Sequence, residues 1–116
     1  MLRFAVEESS ASGFLESARA ALAALAARPG YRSGTLARAF DDPSVWCLVT
    51  DWESVGAYRR ALGAYDVKVQ GTALLSQALP EPSAFEPLAW AEPGQEVVLA
   101  ESDRAGGSRA GIASRP

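Results

Sequence analysis

Along residues 2–8, LRFAVEE, the apolar side chains Leu2, Phe4 and Val6 alternate with Arg3 and Glu7. A period of two is that of a strand with one face buried, so the chain is predicted to open with a strand. The pattern then lengthens. In SSASGFLESARAALAALAARPG, Phe14, Leu15, Ala18, Leu22 and Leu25 recur at helical spacing, Ser10 or Ser12 stands at the N-cap position, and Pro29-Gly30 stops the run. Much of the inner stripe of this helix is alanine, and small side chains reduce the separation between packed layers.

Two extended runs follow, residues 30–40 and 44–52, joined by Asp41-Asp42-Pro43. The residue before a proline is kept out of the helical region and proline fixes its own φ, so an antiparallel hairpin is predicted. In its second arm, VWCLVT is apolar at every position but the last, the pattern of a strand covered on both faces. One helical layer covers only one face, and a second copy of the chain is expected over the other. Asp51 or Ser54 can cap the next helix, ESVGAYRRALGAY, where Val55, Tyr58, Ala61, Leu62 and Tyr65 share a face. A break near Asp66 leads to further helix in VKVQGTALLSQAL. PEPSAFEPL then supplies a short last strand, Ala84 to Leu88, whose prolines suit a sheet edge.

The predicted order is strand, helix, strand, strand, helix, strand. That is an α+β, ferredoxin-like βαββαβ arrangement with a four-stranded antiparallel sheet. Residues 1–90 are expected to form this domain. Residues 91–116 are rich in Gly, Ser and charge and lack aromatic side chains, so they read as a largely disordered tail, with the disorder expected beyond residue 103. Within it only VVLA, residues 97–100, offers a strand, which could be added to a partner subunit.

Composition narrows the function. With 116 residues and 48% hydrophobic content the chain is one domain with a real core. Its 14 acidic and 11 basic residues are dispersed and sum to −3, which leaves no basic face to follow phosphates and excludes nucleic acid as a natural partner. A lone Cys47 permits no internal disulfide, the N-terminus lacks a secretory pattern, and no apolar run approaches the roughly 20 residues of a membrane span. A cytoplasmic protein with no membrane partner is expected.

The strand ending in Trp52, followed by ESVGAYRRAL and AYDVKV before a last short strand, resembles the antibiotic biosynthesis monooxygenase family of dimeric α+β barrels. The resemblance spans residues 1–90 and rests on element order and the W-E-S-x-x-A-Y segment. It implies a homodimer in which two four-stranded sheets close a barrel. It also implies a cofactor-independent monooxygenase that combines dioxygen with a hydrophobic aromatic molecule, such as a phenol, quinol or anthrone. Other members degrade haem and many have no demonstrated reaction, so a non-catalytic dimeric ligand-binding or interaction domain of the same fold is the alternative.

Oxidising an electron-rich ring without a metal requires a dry pocket, a group that relays a proton and donors that stabilise the resulting anion. Trp52, Tyr58 and Arg59 are the catalytic candidates, with Trp46, Leu48, Leu62 and Tyr65 as pocket residues. Trp46 and Trp52 lie six apart on one face of the strand and would line one cavity. Each candidate also has a plainer reading: core packing for the tryptophans, a solvent-edge anchor for Tyr65, a surface ion pair for Arg59. Cys47 reads as a buried inert thiol and Lys68 as a surface lysine. The chain has no histidine and no asparagine. Where the family often has a histidine, nine positions after the tryptophan, this sequence has Ala61, so no haem ligand is evident and no metal site of imidazole or thiolate type is expected. The expected cofactor is none.

Overall fold

A computed structural model describes residues 1–102. The expected disorder beyond residue 103 lies outside the described residues. Strand β1 (Leu2–Ala5) leads through a short 3-10 turn into helix α1 (Ala11–Ala26); β2 (Tyr31–Arg38) and β3 (Val45–Trp52) follow, then α2 (Val55–Leu62), α3 (Tyr65–Leu75), β4 (Ala89–Trp90) and β5 (Val98–Leu99). The ferredoxin-like α+β order is therefore present. β3 is central in a sheet of order β1-β3-β2, antiparallel throughout.

The hairpin forms where the proline places it. Asp42 begins a turn closed by the Val45 N–H donating to the Asp42 carbonyl at 3.0 Å, while the Asp42 carboxylate accepts from the Ser44 hydroxyl at 2.6 Å and the Ser44 N–H at 3.1 Å. From there β2 and β3 pair in simple register until an irregularity between Tyr31 and Ser33, which sets Tyr31 opposite Trp52. At the far end of β2, Gly30 has φ +87°, and a Cβ there would stand 2.6 Å from the Ala57 Cβ. Only glycine meets both demands.

Along β3, Trp46, Leu48 and Trp52 turn toward the helices and are buried. They meet Phe14, Ala18, Ala21 and Leu25 of α1, Ala57, Tyr58 and Ala61 of α2, and Val67 and Leu74 of α3. The alanine stripe does more than bring α1 to the sheet: Ala21 also faces the buried Gly71 of α3, which lets the two helices approach closely. Leu15, expected on that inner stripe, is instead 45% exposed. Helix α1 starts after Ser10, whose side chain makes no capping bond, whereas Ser54 caps α2 by accepting from the Ala57 N–H at 3.1 Å. The helical break falls at Gly63-Ala64, before Tyr65 rather than at Asp66.

Within the chain the helices cover one face of β3: Val45 and Cys47 on the other side are half-buried and Val49 is exposed. One expectation is corrected, since the sheet has three strands, not four. After α3 the chain runs along the free edge of β1, where the Leu79 N–H donates to the Arg3 carbonyl at 2.8 Å and Arg3 pairs with Glu81 at 3.0 Å. Pro80, Pro82 and Pro87 have no N–H to continue that ladder, and residues 84–88 form no strand. The last pairing comes later, between Ala89–Trp90 and Val98–Leu99, across the boundary expected at residue 90. Its connection turns at Pro93-Gly94, with Gly94 at φ +74° and the Gln95 N–H donating to the Glu92 carbonyl, a turn that calls for glycine at its third position.

Candidate active site

The strand-to-helix junction at residues 50–58 builds one wall of a cavity of about 270 Å³. β3 delivers Trp52 at its C-terminal end on the helix-facing side. Two residues later the Ser54 cap starts α2, and the first turn of that helix brings Tyr58 back beside Trp52, with ring centroids 5.9 Å apart. From the other side Tyr31 meets the Trp52 ring edge-to-face at 5.2 Å. Such pairs hold ring orientation beyond what burial alone provides, so Trp52 is fixed between two phenols.

The opposite wall is the proline-rich segment after α3. Ala84, Phe85 and Pro87 face Val55, Tyr58 and Trp52 across the cavity, with Met1 and Val49 completing its apolar lining. The Met1 ammonium holds this segment by donating to the Ser83 carbonyl at 2.6 Å, and burial draws its pKa below the ordinary value. Thr50, Asp51, Ser54 and Ser83 supply the polar edge.

Two aromatic polar groups reach this site in different states. The Trp52 indole N–H donates to the Thr50 hydroxyl oxygen at 2.8 Å, so the tryptophan offers ring surface. The Tyr58 ring is buried, while its hydroxyl makes no hydrogen bond among the described residues and stays open to solvent. A phenol in that state can donate to a ligand oxygen or accept from a ligand hydroxyl.

The residues named from sequence are thus divided. Trp52 and Tyr58 meet at one cavity. Trp46 lines a second cavity on the α1 side of the sheet. Leu48 is packed in the core between them, Leu62 is half-buried, and Tyr65 is 79% exposed. Arg59 is exposed on α2 and lines neither cavity. Sequence reasoning missed Tyr31: counting outward from the Asp42-Pro43 turn sets Arg32 opposite Trp52, and only the irregularity between Tyr31 and Ser33 brings Tyr31 there. It also missed the wall at residues 83–87, whose apolar positions read as a strand. Among the described residues no three His, Cys, Asp or Glu side chains gather as metal ligands would, and no helix is long and apolar enough to cross a membrane.

Comparison with known families decides the lineage. The model of the antibiotic biosynthesis monooxygenase family matches residues 1–68. The chain belongs to this family. Its fold is shared with SnoaB, a cofactor-independent oxygenase from Streptomyces nogalater, at 27% identity over 74% of this chain and 90% of that one, with a TM-score of 0.59. A protein from Mycobacterium tuberculosis matches at 22% identity over 78% of this chain and 93% of the other, TM-score 0.62, and shares the fold. No match is found among curated proteins. The family match covers β1 through the start of α3, and so includes the Trp52–Tyr58 junction.

Proposed function

We propose that this member of the antibiotic biosynthesis monooxygenase family is a cofactor-independent monooxygenase acting on a hydrophobic aromatic molecule of the phenol, quinol or anthrone type. The observation that carries the reading is Tyr58: a phenol whose ring is buried on the wall of an apolar cavity and whose hydroxyl is open to solvent and unpartnered among the described residues. The similarity to a cofactor-independent oxygenase supports the same class.

The chemistry asks little of the protein. An anthrone loses a proton from its CH₂ carbon, the resulting anion adds dioxygen at that carbon, and the hydroperoxide loses water to leave a carbonyl. One oxygen atom stays on carbon, the other departs as water, and the substrate supplies all the electrons. The Tyr58 hydroxyl donates to the substrate oxyanion, stabilising the charge that develops as the proton leaves. Trp52, held by Thr50, Tyr31 and Tyr58, provides a flat surface against which an aromatic ring stacks. The homodimer belongs to the same reading. Val45, Cys47 and Val49 form an apolar strip on the sheet face that the helices leave open, and a second copy covers it.

The absence of histidine and asparagine favours a second reading, a dimeric domain that binds an aromatic ligand in this cavity without turning it over. Oxygen uptake separates the two. With dithranol as substrate and no added metal or flavin, the purified protein is expected to consume oxygen saturably, and Tyr58→Phe is expected to lower kcat about 100-fold. Saturable binding of dithranol without oxygen uptake would establish the second reading instead.

A further inference from the structure

A second cavity of about 360 Å³ lies on the same side of the sheet, at the Trp46 end of β3, between α1 and the edge strand β2. Its body is apolar, built from Leu15, Leu22, Leu36 and the Trp46 ring, and its charged side chains are Arg19 and Arg38, with no acidic residue in the lining. The Arg38 guanidinium sits over the Trp46 ring, 5.4 Å from its centroid, and makes no ion pair among the described residues. Arg19 is held at 3.3 Å by Glu16 on the solvent side of α1, both side chains being largely exposed. Trp46 itself is buried, and its indole N–H, closed off from solvent, has no acceptor among the described residues.

We infer that the α1–β2 cavity is a second ligand site, for an amphipathic anion whose apolar body lies against Leu22, Leu36 and Trp46 and whose carboxylate is held by Arg38 and Arg19. The lining matches that class by its charge. That charge is purely cationic and forked, which suits a carboxylate and gives no purchase to a cation. The inference stands apart from the oxygenase reading, because it uses neither Tyr58 nor Trp52.

Decanoate and 1-decanol, equal in chain length and unequal in charge, are the probes. In ¹⁵N-labelled full-length protein the three tryptophans give three indole N–H signals, assigned with single Trp→Phe variants. Decanoate is expected to shift the Trp46 signal saturably and to leave the Trp52 signal in place. Arg38→Gln should weaken decanoate about tenfold and Arg19→Gln about threefold, with 1-decanol unaffected by either. Both arginines are exposed, so the variants are expected to fold, and Tyr58→Phe should bind decanoate as the parent does. No saturable shift, movement of the Trp52 signal alone, equal affinity for the alcohol, or indifference to both arginine substitutions would each overturn the proposal.

Discussion

Trp46 and Trp52 sit six residues apart on one face of one strand and are buried to nearly the same degree, 7% and 8% exposed. Their surroundings differ in every other respect. Trp52 has its N–H bonded to Thr50 and its ring held between Tyr31 and Tyr58. Trp46 has its N–H unpartnered among the described residues, its ring edge-to-face with Phe14 at 5.2 Å, and a guanidinium over it. A strand fixes which side chains share a face, while the elements that cover the face decide the chemistry. At one end these are α2 and the proline segment, bringing hydroxyls; at the other they are α1 and the sheet edge, bringing arginines.

The largest expected effect tests whether the two ends are alike as packing. Trp46→Ala and Trp52→Ala should each destabilise the fold by about 3–5 kcal/mol in urea unfolding, since equal burial predicts comparable loss. A large asymmetry would mean that one tryptophan is not core. Gly30→Ala comes next, at about 3 kcal/mol, because it forces a side chain into both a left-handed backbone and the Ala57 contact. Since that contact seats α2, the loss should be accompanied by altered Trp52 fluorescence and leave the Trp46 indole signal unmoved.

Thr50→Val removes the one hydrogen-bonding difference between the tryptophans, leaving both indole donors unsatisfied. A cost of about 1–3 kcal/mol is expected, read from the same unfolding curves. Arg38→Gln, which removes the cation over Trp46, should cost only about 0.5–1 kcal/mol. The smallest effect concerns the hairpin that aligns both ends. Hydrogen bonds from the Ser44 hydroxyl and N–H hold the Asp42 carboxyl below its ordinary pKa of 3.8. A depressed folded-state value adds stability above the unfolded pKa and loses it as the pH falls through the folded one. Asp42→Asn should therefore lower stability slightly near neutrality and leave it unchanged below the folded pKa, which flattens the acid limb.

The helix-facing side of β3 was legible because period two is strict there, and the α1 and α2 stripes were legible from helical spacing. The fourth strand was misread for a physical reason visible in the sequence: prolines at 80, 82 and 87 suit an edge, but three of them leave too few donors for pairing with β1. The two cavities were not separable from sequence. Spacing places Trp46 and Trp52 on one face, and only the packing of Leu48 between them divides it. Tyr65 shows the complementary limit, since the spacing that put it on the Tyr58 face assumes one continuous helix and α2 ends at Leu62, before Tyr65 begins α3.

The central claim is that one strand face carries two sites of different chemistry, the aromatic one at Trp52. It is tested most directly by titrating ¹⁵N-labelled protein with 1,8-dihydroxyanthraquinone, a phenolic ring system already oxidised and so inert to turnover. The Trp52 indole signal should move saturably, this movement should weaken in Tyr58→Phe, and the Trp46 signal should stay fixed. Movement at Trp46 with Trp52 unchanged would contradict the assignment.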